Sequence, residues 1–177
     1  MPPSGSTKRK ILKAASELAR TEGSAHLSLE AIAARAGISK GGLLYNFPTK
    51  SALLKALVQQ YIDEFESALA DRLQDSNLSE AVEFIRLSLD DLERAKPPPS
   101  GLLAALSEDP EMLAPVRQFN RALLDRMKQN SLNRAALLVA ILAVEGLRCQ
   151  KLFGTDVLSP DERELVLQQI SNLAKLE

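Results

Sequence analysis

The stretch SLEAIAARAGISKGGLLYNFPTK, residues 28–50, decides the fold of this chain. Leu29, Ile32, Ala33 and Ala36 recur at i, i+3, i+4 and i+7, the spacing of one buried helical face, and Ser28 stands just ahead as an N-cap. Gly37 ends that helix. Ile38 packs the turn, and Ser39 caps a second short helix whose Leu43 and Phe47, four apart, share its inner face. Pro48 stops this helix because it lacks an N–H and disfavours helical backbone in the residue before it, and Thr49 caps the next one. Lys40, Gly41, Leu44, Tyr45 and Asn46 are left facing outward. Two helices of about two turns each, a glycine turn between them and a cation at the start of the second describe a helix-turn-helix that reads duplex DNA.

The same segment resembles the N-terminal domain of the tetracycline-repressor-like (TetR-like) family of bacterial transcription regulators, whose pattern runs roughly A-x-x-A-G-[VI]-S-x-G-T-[LIF]-Y-x-[HY]-F-x-x-K. Ala33, Ala36, Gly37, Ile38, Ser39, Gly41, Leu43, Phe47 and Lys50 match it in register. The chain departs from it at Gly42, where the family usually has Thr, and at Leu44, where it usually has Tyr; the aromatic follows one place later as Tyr45. The resemblance implies phosphate contacts from Ser28 and Lys50, and a ligand-responsive regulator, a repressor more than an activator. Such a regulator binds a palindromic operator as a homodimer and is released by a small, hydrophobic effector.

Charge along the chain fits a DNA reader. The whole chain carries −1, yet residues 1–50 hold eight Lys and Arg against three Asp and Glu, a balance of +5, and residues 51–177 hold fourteen against twenty, a balance of −6. The positive end is the one that attracts phosphate. We therefore divide the chain into a DNA-binding domain, 1–50, and an effector-binding and dimerisation domain, 51–177. The expected fold is all-α with about nine helices.

On the reading helix, Lys40 either donates to guanine O6 and N7 or meets a phosphate, and Leu44 suits a thymine methyl. Asn46 either binds adenine or caps the helix end. Tyr45 either gives its hydroxyl to a phosphate or packs beside Phe47. Ser39, Gly41 and Gly42 complete the DNA-facing set. The two glycines cost roughly 2 kcal/mol of helix propensity against alanine, which suits either close approach of backbone to DNA or a helix that finishes folding on the operator.

Ahead of this motif, residues 1–6 read as a disordered arm, and Lys8, Arg9 and Lys10 open a helix carrying Ile11, Ala15 and Leu18 to its end at Gly23. His26, the one histidine, lacks metal-ligand neighbours and reads as a loop residue. After the motif, Leu53, Leu57, Ile62, Phe65 and Leu69 mark a helix from Lys50 to about Leu73, a rod of about 35 Å that would act as a lever between effector and reading head. Asn77 to Glu80 resembles a capping box, and a helix follows to Arg94. KPPPSG, residues 96–101, is a break. A short helix spans Leu102 to Leu106, Glu108 to Pro115 is irregular, and a helix containing Val116, Phe119, Leu123 and Met127 ends near Asn130.

Asn133 to Phe153 is the most apolar helix and ends at Gly154; SPDE at 159–162 opens the last one as a capping box with Pro at N1. These two helices carry more apolar residues than one face needs, which suits a four-helix bundle with a second copy through Ala136, Ala140, Ala143, Val166, Ile170 and Leu173. Tyr61, Phe65, Phe84, Leu87, Leu103, Phe119, Leu123 and Cys149 are candidate walls of an effector pocket. Glu145 and Arg148, on the otherwise apolar penultimate helix, either pair, cross the dimer interface or face the effector.

Other classes fit poorly. One cysteine cannot form an intrachain disulfide, which suits the reducing cytoplasm. The longest apolar run, Ala135 to Val144, is about half a membrane span, and no apolar segment follows the basic N-terminus as in a signal peptide. There is no nucleophile elbow, phosphate-cradling glycine loop or metal-ligand cluster, so an enzyme, a cofactor and a metal are not expected. The alternative to a regulator is a helical small-molecule or protein-binding module that uses the helix-turn-helix only as scaffold.

Overall fold

The computed structural model describes residues 4–22, 27–93 and 100–174. Among them it contains nine α-helices and no strand: α1 (Ser4–Glu22), α2 (Leu29–Ala36), α3 (Lys40–Asn46), α4 (Lys50–Gln74), α5 (Glu80–Glu93), α6 (Ser100–Glu108), α7 (Ala114–Asn130), α8 (Arg134–Phe153) and α9 (Pro160–Ala174), with a 3-10 turn at Pro110–Leu113. The expected caps account for many of these boundaries. Ser28 Oγ accepts from the Ala31 N–H at 3.1 Å, Ser39 Oγ from Gly42 at 3.0 Å, and Thr49 Oγ1 from Ala52 at 3.0 Å. Asn133, expected as the first residue of its helix, caps it instead, its Oδ1 accepting from the Ala136 N–H at 3.0 Å. Gly37 and Gly154 close α2 and α8 with φ of 62° and 65°, left-handed backbone that strains residues bearing a Cβ. Ser159 and Glu162 form the reciprocal box at the start of α9.

Several boundaries differ from the sequence reading. Helix α1 begins at Ser4, so residues 4–6 are helical, and Lys8 to Lys10 lie a turn inside, where the helix dipole opposes cations less. The cap of α5 is Ser79 and not Asn77: the Ser79 hydroxyl accepts from the Val82 N–H, while the Ser76 hydroxyl accepts from the Leu78 N–H and donates to Glu83. The sixth helix starts at Ser100, so residues 100 and 101 of the expected break are helical, and it runs on to Glu108. Part of the irregular patch that follows is ordered by Asp109, which accepts from Glu111 and caps the 3-10 turn. His26, Gly23, Arg94 and residues 96–99 of the proline break lie outside the described residues, as does the side chain of Leu103.

The chain divides into two compact units, Met1–Glu64 with Pro99–Phe119, and Phe65–Pro98 with Asn120–Glu177. The core of the first unites Ile11, Ala15 and Leu18 of α1, Ile32 and Ala36 of α2, Leu43 of α3, Leu53, Leu54 and Val58 of α4, and Ala104 and Ala105 of α6. Burying large side chains such as Ile11, Ile32 and Leu43 removes about 2 kcal/mol of apolar hydration each. That burial holds two helices too short to persist alone. The second unit buries Phe84, Ile85 and Leu92 of α5, Leu123 and Met127 of α7, Leu137, Val144 and Leu147 of α8, and Ile170 of α9. Its buried acid, Glu83, is 4 % exposed and is held by Ser76, Arg72 and Arg86.

Candidate nucleic-acid interface

Hydrophobic packing on one side of α2 and α3 leaves their other side as the candidate surface. Ile32, Ala33, Ala36, Leu43 and Phe47 point into the core, and the residues between them face out. Tyr45 is 85 % exposed, so its ring is not packed beside Phe47; the face of Phe47 instead carries the ammonium of Lys8, 6.0 Å from the ring centroid. Gly41 is exposed, and Gly42, Leu44 and Asn46 are half-buried. Asn46 Nδ2 donates to the Gly42 carbonyl at 2.8 Å, which makes the helix-end contact one of the two roles open to it.

The two reading-helix glycines are not equivalent. A Cβ on Gly42 would lie 3.3 Å from Ser39 Oγ, the capping oxygen, whereas one on Gly41 would lie 3.9 Å from it, an ordinary contact. A side chain at position 42 would therefore have to displace the capping hydroxyl by a few tenths of an ångström, and one at position 41 would not.

Both lysines singled out from the sequence have acidic partners that sequence reasoning missed. Lys40 Nζ lies 2.5 Å from Glu30 Oε1, joining the start of α3 to the start of α2, and the hydrogen bond from Lys40 is the main cause that holds the Glu30 carboxyl below its usual range. Lys50 Nζ lies 2.8 Å from Glu108 Oε2 at the end of α6. The first pair spans ten positions and the second fifty-eight. Neither spacing carries a helical or strand signal, so only folding brings the partners together. Lys8, Arg9 and Lys10 are exposed along α1, and a Cβ on Gly37 would stand 3.8 Å from the Lys10 ammonium, which places that cation against the turn. With exposed Ser28 and Ser39 at the starts of α2 and α3, these two helices and α1 present ammonium groups, hydroxyls and an exposed phenol, the donors that meet phosphate oxygens and base edges.

The proposed pocket walls fall in both units. Tyr61 and Phe119 pack against the core of the first. In the second, Phe65 and Phe84 meet edge to face with centroids 5.8 Å apart, and Leu87 and Leu123 are buried. Cys149 is exposed, so it does not line a closed wall within its unit. Of the roles open to Glu145 and Arg148, pairing is observed: Arg148 Nη1 donates to Glu145 at 3.0 Å, with its guanidinium 5.8 Å from the Phe65 centroid.

For the expected dimer face the geometry changes the residues. Ala136, Ala140 and Ile170 are buried within the second unit, where α5, α8 and α9 pack on one another, and Ala143, Val166 and Leu173 are half-buried. Small side chains do bring helices close, but the helices are those of the same chain. The opposite side of α8 carries the uncovered apolar residues: Leu138, Val139 at 56 %, Leu142 at 71 % and Phe153 at 59 % exposed. With exposed Gly146 and Cys149 they follow a helical stripe, and Leu165 of α9 adds to the exposed apolar surface.

Comparison with known proteins gives two family matches, to the tetR family of bacterial regulatory proteins over residues 11–57 and to a tetracyclin repressor-like C-terminal domain over residues 79–175. The HTH-type transcriptional regulator RutR of Escherichia coli K12 is 39 % identical over 84 residues, 47 % of this chain and 40 % of that protein, so the chain matches two fifths of the length of this curated relative. Among solved structures, the multidrug binding protein EbrR in complex with malachite green superposes with a TM-score of 0.70 at 20 % identity, over 94 % of this chain and 96 % of that one. A TetR-family regulator from Rhodococcus sp. gives 0.69 at 20 % identity, over 96 % and 99 %. These likenesses in structure are likenesses of fold.

Proposed function

The chain belongs to the TetR family of bacterial transcription regulators, and from that premise we propose that it is a ligand-responsive repressor that binds a near-palindromic DNA operator as a homodimer and lets go when a small apolar effector binds. The observation that carries this reading is the outward face of α3. Its phenol is 85 % exposed and its leading lysine is held above the surface by a carboxylate, on a helix whose inner side is fully used by the core.

In this reading α3 enters the major groove. Lys40 and Leu44 meet base edges, Gly41 lets the backbone approach, and Ser28, Ser39, Tyr45 and Lys50 hold phosphates. Phosphate contacts give strength and salt dependence, base contacts give sequence. Two reading helices in a dimer would sit about 34–36 Å apart, one turn of DNA. The stripe of Leu138, Val139, Leu142 and Phe153 on α8 supplies the dimer face, since an exposed apolar row of this length is the kind of surface a second copy covers. The division into residues 1–50 for DNA and 51–177 for effector and dimer is retained, with the effector held by apolar and aromatic side chains around Phe65, Phe84, Leu87 and Leu123. EbrR, described as binding multiple drugs, supports a small-molecule effector here. Among the described residues no helix is long and apolar enough to cross a membrane, in keeping with work on DNA in the cytoplasm.

The test is selection of bound duplexes from a random pool, followed by fluorescence anisotropy on the recovered sequence. The reading requires an inverted repeat, tight binding to it, and weaker binding to scrambled duplex. A pool that yields no enriched sequence would defeat it.

A further inference from the structure

Lys50 and Glu108 each stand where the helix they belong to disfavours their charge. Lys50 is the first residue of α4, at the positive end of its dipole, and Glu108 is the last of α6, at the negative end. Both belong to the first compact unit, and their 2.8 Å contact offsets both unfavourable placements. Each side chain is still about two-fifths exposed, at 39 % and 42 %, so the pair lies open to a competing ion. The competing ion that suits this place is a phosphate oxygen. The ammonium is there, and so is the first turn of a long helix, whose leading N–H groups have no partner within the helix.

We infer that Glu108 is an affinity-setting residue of the DNA interface: its carboxylate occupies the Lys50 ammonium in the free protein and must give it up when a phosphate docks. The inference rests on Lys50 being a phosphate contact. Binding is then an exchange in which one charge-assisted hydrogen bond replaces another and the Glu108 carboxylate returns to water. The lysine contributes less to DNA affinity than an unpaired lysine would, and to the same extent on every sequence, because phosphates carry none. The end of α6 thereby becomes part of the DNA equilibrium, and by reciprocity anything that draws Glu108 away from Lys50 strengthens DNA binding.

The experiment measures anisotropy of a labelled duplex of random sequence with the full chain and three variants: Lys50→Ala, Glu108→Gln, and the two together. Circular dichroism confirms that each is folded. Lys50→Ala is expected to weaken binding. Glu108→Gln is expected to tighten it by about two- to fivefold per reading head, the range set by an exposed ion pair, and to change nothing when Lys50 is already alanine. Equal tightening in both backgrounds would overturn the inference, since it would mean that Glu108 acts as a distant negative charge and not through Lys50. No tightening in the wild-type background, with Lys50→Ala still weakening, would also overturn it. No effect of Lys50→Ala would remove the phosphate reading itself, and the inference with it.

Discussion

Replacing Gly41 by alanine should make the protein more stable and a worse DNA binder, whereas the same change at Gly42 should leave stability nearly unaltered. Alanine in place of glycine in a helix gains about 0.5–1 kcal/mol, since the unfolded chain has less backbone freedom to lose. At Gly41 nothing opposes that gain, because the new methyl would lie 3.9 Å from Ser39 Oγ on an exposed side. At Gly42 the methyl would come to 3.3 Å from the same oxygen, which caps the helix by accepting from the Gly42 N–H at 3.0 Å. Moving that hydroxyl aside weakens a cap of about 1 kcal/mol, and gain and loss nearly cancel. The assay is urea or thermal unfolding of both variants beside wild type. A gain of this size raises Tm by about 1–4 °C for a chain of this length. On DNA the order changes: a methyl forced between α3 and the groove floor costs about 1–3 kcal/mol, roughly tenfold or more in Kd, as overpacking does elsewhere. Gly42→Ala as stabilising as Gly41→Ala would refute the steric argument. Gly41→Ala binding the operator more tightly would refute close approach, and would favour a helix that finishes folding on DNA.

Lys40→Ala should narrow the gap between operator and random duplex, seen as a lower ratio of the two Kd values, since Lys40 is assigned to a base edge. The Glu30 carboxyl should titrate below 4.5 and return toward 4.5 in Lys40→Met, read by NMR of its side-chain carbon. Because its folded pKa is depressed, the stability it lends is present above the unfolded value and is lost as pH falls through the folded one. Leu142→Glu should convert the dimer to monomer in sedimentation, by placing a charge on the most exposed large apolar residue of the α8 helix, and should leave the helical circular dichroism unchanged. Arg72→Met should destabilise the protein by about 1–3 kcal/mol in urea unfolding, because it takes a cation from buried Glu83 and from Asp90, while Ser76 and Arg86 still hold Glu83.

What the sequence determined by itself was whatever depends on near neighbours along the chain. Ser28, Ser39, Thr49 and Ser159 announce helix starts because a cap acts over three residues, and Gly37 and Gly154 announce ends because left-handed backbone is a local need. The face of α2 and α3 that turns inward follows equally from the spacing of Ile32, Ala36, Leu43 and Phe47. Asn77 resembles a cap because it stands between Ser76 and Ser79 just ahead of α5, and only the backbone path selects Ser79.

Tertiary structure decided whatever depends on which apolar face meets which helix, and on charges far apart in sequence. Small and bulky strips alternate around α8, and periodicity could not say which would be covered. The chain folded the small strip, with Ala136 and Ala140, against its own helices and left Leu138, Val139 and Leu142 outside. The Glu30 and Glu108 partners of the DNA-facing lysines were illegible for the same reason: an ion pair between helices is a property of packing, and no local pattern encodes it.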